Sequence, residues 1–256
     1  MSETVLSARS VVAGYARGLP IVHDVSVDVA SGEIVTIIGP NGAGKSTFLK
    51  AVAGLIVFEG GSVIYRGEEV AGLAADEMVR RGVGLVPQTG NIFTSLTIHE
   101  NLMVGGHVLR RSELRSRIER TYAQFPALAE RRSTPARVLS GGQRQMLAIG
   151  RALIADPKLI MLDEPTAGLA PRVVGDVFND LRRLAEAGVA VLMVEQNAKA
   201  ALRASDRGYV LVEGRNRLHG SAASLLADPA VGRAFLGGAE EDASVLESTG
   251  AAAQPA

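Results

Sequence analysis

Nine consecutive residues, Gly39, Pro40, Asn41, Gly42, Ala43, Gly44, Lys45, Ser46 and Thr47, fit the pattern G-x-x-x-x-G-K-[ST]. The chemistry that this pattern serves is phosphate binding. Its glycines let successive backbone N–H groups converge on phosphate oxygens at a helix N-terminus, where the positive end of the helix dipole adds to them. Lys45 has the reach for a β- or γ-phosphate, and the Ser46 hydroxyl can ligate Mg²⁺. The loop follows a nearly continuous apolar run, residues 34–38, and precedes a helical pattern, the context that the motif requires.

A second group lies about 120 residues on. Asp163 ends the apolar run 159–162 and Glu164 follows it directly. A carboxylate at a strand end can hold Mg²⁺ beside phosphates, and its neighbour can orient or deprotonate an attacking water. A third group is Leu139 followed by Ser140, Gly141, Gly142 and Gln143. Its small residues at the start of a helix, expected near Gln143, make it a second phosphate cradle.

The elements that must position these groups are short apolar strands. The run 34–38 leads into the phosphate loop, and runs at 83–86, 159–162 and 189–194 are each followed by polar residues, Gln88, Asp163, Glu164, Glu195 and Gln196 among them. In open α/β sheets ligands bind at the carboxyl ends of the strands, so the repetition predicts one site built from several strand ends. Residues 21–29 alternate as a half-buried strand, and residues 209–219 read as a hairpin turning at Gly214-Arg215 with a short helix after Ser221. Between residues 97 and 155 helical patterns take over, opening on a capping box at Thr97 and Glu100. Arg110, Arg111, Arg115, Arg117 and Arg120, then Arg131, Arg132 and Arg137, in that stretch are read as a solvated helix face rather than a phosphate patch. Leu49, Val52, Ala53, Leu55 and Ile56 are read as core.

Composition narrows the partners. The 256 residues hold 27 Lys+Arg against 27 Asp+Glu, a net charge of zero that gives no footprint for nucleic acid. With no cysteine, disulfides, thiolate metal sites and cysteine nucleophiles are excluded. His23, His99, His107 and His219 are scattered without ligand spacing. The N-terminus does not read as a signal peptide and the longest apolar stretch, residues 51–58, is less than half the roughly 20 residues of a membrane span. A cytoplasmic protein that meets the membrane only through partners is the expectation.

The signature from Leu139 to Gln143, the phosphate loop and the Asp163-Glu164 element together resemble the ATP-binding cassette (ABC) ATPases. The resemblance covers nearly the whole chain, to about residue 237. It implies an α/β fold: a P-loop NTPase core with a mostly parallel sheet, an antiparallel β subdomain and a helical insertion. It also implies one domain over residues 1–238, with the core and β subdomain in 1–96 and 156–238 and the signature subdomain in 97–155, and a disordered tail at 239–256. In that family ATP is sandwiched between two subunits, and the signature residues Ser140, Gly141, Gly142 and Gln143 contact the partner's nucleotide. Tyr15 falls where the family sets an aromatic against adenine, the role preferred over that of a core tyrosine. Gln88 matches the glutamine that contacts metal and water, so Ser46, Gln88 and Asp163 form the implied Mg²⁺ set. Glu164, Gln88 and Gln196 form the catalytic set. The groove around Gln88 and the helix near Thr97 is the implied socket for a membrane partner.

Two positions depart from the family. Ala170 replaces the usual interface aspartate and Gln196 the usual switch histidine. A glutamine amide can donate to γ-phosphate but cannot carry a proton's charge. With Val194 to Ala198, Thr166 to Pro171, Ala204 to Glu213 and Ala234 to Gly238, these departures look like the LivF-type ATPases of branched-chain amino-acid importers. The implied partners are transmembrane permease subunits, a second ABC ATPase as hetero- or homodimer and, indirectly, a solute-binding protein, all at the cytoplasmic face of the membrane. Thr89 to Phe93 departs from the usual version, which leaves the solute open among branched-chain amino acids, amides, urea and other hydrophobic amino acids. A soluble ABC ATPase serving a cytosolic assembly such as an iron–sulfur scaffold would carry the same catalytic residues and is the alternative.

Overall fold

The computed structural model describes residues 3–107 and 109–235, and the tail expected at 239–256 lies outside them. Four strands form an antiparallel sheet in the order β2 (Val22–Ala30), β1 (Thr4–Gly14), β4 (Val57–Tyr65), β5 (Glu68–Glu69). Six form a second sheet in the order β10 (Arg215–Ser221), β9 (Arg207–Val212), β3 (Ile34–Ile38), β8 (Ala190–Val194), β7 (Leu159–Asp163), β6 (Val83–Val86). Neighbouring strands in the second sheet are parallel except β10, which pairs antiparallel with β9 at the edge. The α/β fold with a mostly parallel core and an antiparallel β portion is therefore the one the residues imply.

Every residue of β3, β7 and β8 is buried, because the sheet is covered on both faces. The pleat divides these strands cleanly. Ile34, Ile38, Ile160, Leu162, Val191 and Met193 face one core, whereas Val35, Ile37, Met161, Leu192 and Val194 face the other. The first core is filled by helices α3 (Ile98–Gly105), α4 (Arg111–Gln124), α6 (Gly141–Leu153) and α7 (Pro171–Glu186), with the short α5 (Pro126–Ala129) between α4 and α6. The second lies between the two sheets and takes in the buried face of α1 (Lys45–Val52), including Phe48 and Leu49, together with Met78 of α2 (Ala75–Arg80). A strand buried on both sides can be apolar at every position, which is why these runs do not alternate.

Among the described residues no strand falls between 97 and 155. The Thr97 cap is as expected: its hydroxyl accepts from the Glu100 N–H at 3.2 Å while its own N–H donates to the Glu100 carboxylate at 2.7 Å. Arg111, Arg115 and Arg120 are exposed, as a solvated face requires. Arg117 instead turns to Asp156 at 2.7 Å, joining α4 to the loop before β7.

Three details differ from the sequence reading. The hairpin turns at Glu213-Gly214, both at positive φ, rather than at Gly214-Arg215, because β10 already pairs from Arg215. Leu55 is half exposed, since α1 ends at Val52 and the chain leaves the helical face there, although Leu49, Val52 and Ala53 are core. Helix α6 begins at Gly141, two residues earlier than expected, because Ser140 serves as its cap. The chain closes with α8 (Ala198–Ala204), α9 (Ala222–Ala227), the short helix expected after Ser221 and capped by it, and α10 (Pro229–Phe235).

Phe48 is fully buried under α1 and holds the helix that carries Lys45 and Ser46. Phe48→Ala is expected to lower stability by about 3–5 kcal/mol. Urea unfolding followed by circular dichroism measures this.

Candidate nucleotide site

Strand register assembles the site. In the central rows Ile37 pairs with Val194 and Val194 with Asp163, while Val86 pairs with Leu162. Two residues beyond these rows the backbone leaves the sheet, and the side chains that follow meet over one edge. Gln88, two past Val86, donates its amide to the Glu164 carboxylate at 2.6 Å, and Glu164 is two past Leu162. Gln196, two past Val194, places its amide nitrogen on the Asn41 side-chain oxygen, and Asn41 is four past Ile37.

The phosphate loop runs from β3 into α1 on glycines that no other residue could replace without strain. Gly39 has φ +153°, and a Cβ there would lie 2.1 Å from the Leu211 carbonyl oxygen. Gly44, at φ +90°, is the residue before α1, whose first N–H groups are left without helical acceptors. Lys45 is only 5% exposed and folds back over the loop, donating from Nζ to the carbonyls of Gly39 at 2.8 Å and Pro40 at 3.0 Å. Burial pushes its ammonium below the ordinary lysine value, and Glu164, Asp163 and Glu195 oppose that shift. Three carboxylates thus face one buried cation.

The Ser46 hydroxyl donates to Asp163 Oδ1 at 2.6 Å. Asp163 is itself buried. A hydroxyl and a carboxylate oxygen side by side are the hard oxygen donors that suit Mg²⁺, which takes few protein ligands and completes its octahedron with phosphate and water. Accordingly, no group of three or more His, Cys, Asp or Glu side chains that could hold a metal by itself occurs among the described residues. Glu164 has φ +47°, a left-handed conformation that costs a non-glycine residue of order 1 kcal/mol and is typical of functional sites. Its N–H donates to the Val194 carbonyl at 3.0 Å, which fixes the turn against β8.

Tyr15 is 56% exposed, with its hydroxyl 3.3 Å from Lys50 Nζ and the ammonium 5.7 Å from its ring centroid. Its ring is therefore not a core group. The signature residues stand apart from this cluster. Ser140 Oγ accepts from the Gln143 N–H at 3.3 Å, and the Gln143 side chain answers by accepting from the Ser140 N–H at 3.1 Å. A Cβ on Gly142 would lie 2.4 Å from Val173 Cγ1, so α6 needs a glycine to start this close to α7. Among the described residues no hydrogen bond joins Ser140, Gly141, Gly142 or Gln143 to the phosphate loop.

Sequence reasoning placed Glu195 at a strand end but gave it no role, and it missed the link from Glu195 to Thr166. Glu195 is 2% exposed and accepts hydrogen bonds from the Thr166 N–H and hydroxyl. Burial pushes its carboxyl above the ordinary glutamate value, and the bonds from Thr166 pull it back. The available signal was a carboxylate placed directly after a wholly apolar strand.

Residues 22–167 match the family model described as ABC transporter. The chain belongs to the ABC transporter family. It is 44% identical over 227 residues to the high-affinity branched-chain amino acid transport ATP-binding protein BraG of Pseudomonas aeruginosa, covering 89% of this chain and 97% of that protein. It is 39% identical over 215 residues to the probable branched-chain amino acid transport ATP-binding protein LivF of Archaeoglobus fulgidus, covering 84% and 91%. Among solved structures, the ADP conformation of an ATP-binding cassette of an ABC transporter superposes with a TM-score of 0.84 at 27% identity, covering 93% of this chain and all of that one. A dimeric ATP-binding cassette in a post-hydrolysis state, bound to ADP and Pi, gives 0.74 at 27% identity, covering 85% and 98%. As a member of this family the chain is a nucleotide-binding ATPase. No helix of the described residues is long and apolar enough to cross a membrane.

Because the Gly39 Cα lies against the Leu211 carbonyl, Gly39→Ala is expected to destabilise the fold by about 1–3 kcal/mol and to weaken ATP binding. Thermal melts with and without ATP read both effects.

Proposed function

We propose that this chain is the ATP-hydrolysing subunit of an importer of branched-chain or other hydrophobic amino acids, coupling ATP-driven closure of an ATPase dimer to permease partners at the cytoplasmic face of the membrane. The observation that carries the reading is the division of the chain into two half-sites. Lys45, Ser46, Asp163, Glu164, Gln88 and Gln196 converge on one strand edge, while the signature residues Ser140 to Gln143 reach none of them. A signature so placed has work to do only on a second subunit's nucleotide. The names of BraG and LivF support the class of solute.

In this reading Tyr15 stacks on adenine, and the N–H groups of residues 39–47 bind the phosphates. Lys45 exchanges its carbonyl partners Gly39 and Pro40 for β- and γ-phosphate oxygens. Ser46, Asp163 and Gln88 would hold Mg²⁺, which supplies charge neutralisation to the phosphates when bound. Glu164, aligned by the Gln88 amide, accepts the proton of the attacking water as oxygen bonds to the γ-phosphorus and the bridge to ADP breaks. Gln196 donates from its amide toward the γ-phosphate and, staying neutral, takes no part in proton transfer.

Residues 97–155 form the arm that meets the permease. Phe93, Met103 and Val104 are exposed apolar side chains near Gln88 in sequence. Of these only Met103 lines a cleft of about 520 Å³ between α3 and α4, together with Arg111, Leu114, Arg115, Ile118 and Glu119. A partner helix docked there is one covalent segment away from Gln88, which connects docking to Glu164.

Glu164→Gln is expected to bind ATP while turning over about 100-fold or more slowly. Lys45→Ala is expected to weaken ATP binding about tenfold or more. Equilibrium nucleotide binding and phosphate release measure the two. Gln196→Ala is expected to slow turnover by roughly 100-fold, as for one lost donor to transition-state charge; unchanged turnover and unchanged ATP-driven dimerisation would remove Gln196 from the mechanism. In cells, Glu164→Gln should abolish uptake of labelled leucine, isoleucine and valine; uptake at the wild-type rate would reject the proposed solute class.

A further inference from the structure

Glu195 has no part in the proposed hydrolysis, yet among the described residues it is the most buried carboxylate, at 2% exposure. It follows β8 directly, and its N–H donates to the Ile37 carbonyl of β3 at 3.0 Å, which fixes its backbone to the centre of the sheet. Its side chain then spans two functional segments. Oε1 accepts from the Thr166 N–H at 3.0 Å and from the Thr166 hydroxyl at 2.7 Å. Oε2 accepts from the N–H of Gln196 at 3.2 Å. Thr166, also buried, lies two residues past Glu164 in the turn where the Ala167 N–H donates back to the Glu164 carbonyl at 3.1 Å.

A carboxylate met by three donors and screened from water is a rigid brace, since charge-assisted bonds in a low-dielectric setting are short and strong. The part it braces needs one. Glu164 is held at φ +47°, and a turn at positive φ relaxes unless its surroundings over-determine it. The other charged groups around it are Lys45 on α1 and Glu164 itself, and neither donates to or accepts from the Glu195 side chain.

We propose that Glu195 is a positioning residue for hydrolysis: through Thr166 it sets the direction of the Glu164 carboxylate, and through the Gln196 N–H it ties that direction to the amide that faces the phosphate loop. The inference rests on Glu164 facing the attacking water. It assigns Thr166 an effect on turnover and not on ATP capture, because among the described residues the phosphate loop makes no hydrogen bond to Thr166, whereas the charge of Glu195 also acts on Lys45.

The test compares Thr166→Val, which keeps volume and charge but loses the hydroxyl, with Thr166→Ser, which keeps the hydroxyl, and with Glu195→Gln, all beside Glu164→Gln. Steady-state ATPase kinetics and thermal melts are read on each purified protein. Thr166→Val and Glu195→Gln are expected to lower kcat roughly ten- to hundredfold, as misplacement of a reacting group does, with KM for ATP within about twofold of the wild type in Thr166→Val. Thr166→Ser should recover most of kcat. Should Glu195→Gln fail to fold, the Thr166 pair decides alone. Turnover within about twofold of the wild type in Thr166→Val, with Glu164→Gln slow, would overturn the positioning role and leave the reading of Glu164 standing. Equal turnover of Thr166→Ser and Thr166→Val would also overturn it. Wild-type turnover in Glu164→Gln would overturn both.

Discussion

The hydrogen bond from Ser46 to Asp163, 2.6 Å long between residues 117 apart in the chain, is the constraint on which the site depends. It exists only because β8 lies between β3 and β7 in a fixed register, so that the loop leaving β3 and the carboxylate ending β7 arrive at the same height. A one-residue slip would turn every side chain of a strand to the opposite core. Alternate residues of these strands fill two different cores, and that packing forbids the slip. The hydrophobic effect, acting on both faces of the sheet, is thereby what places a hydroxyl against a carboxylate.

Charge balance follows from the same geometry. Lys45, Asp163 and Glu195 are each at most 5% exposed, an arrangement that would be costly for any one of them alone. Each is answered: Lys45 by two carbonyls, Asp163 by Ser46, Glu195 by Thr166 and Gln196. The edge is preorganised for a polyanion, with donors and charges already in place before phosphate arrives. The half-site nevertheless ends there. Ser140, at the start of α6, makes no hydrogen bond to it among the described residues, and the packing of Gly142 on Val173 fixes where that helix begins.

Much of this was legible in the residues. The phosphate loop, Asp163 and Glu164 announce themselves because their chemistry is local: a glycine spacing, or a carboxylate after an apolar run; the role of Gln88 came only from the family resemblance. The strands β3, β6, β7 and β8 were equally plain because burial on both faces removes polar interruptions. Strand β1 was not, since register shifts after Ala8 break its alternation, and β4 was hidden by two central glycines, Gly60 and Gly61. Helix α7 escaped notice although Pro171 opens it in the position that suits proline. The pairing of Glu195 with Thr166 was invisible for a deeper reason: their bond joins residues 29 apart, and nothing in either neighbourhood names the other. For Tyr15 adenine was preferred over core, and its exposure settled the core question.

The central claim is that this chain acts on ATP together with a second ATPase and membrane partners. Affinity purification of tagged Glu164→Gln from native membranes in Mg-ATP, followed by mass spectrometry, tests it most directly, because slowed hydrolysis holds the closed state. The account predicts permease subunits together with a second ABC ATPase or a second copy of this chain. Recovery of soluble scaffold proteins and no permease would contradict it.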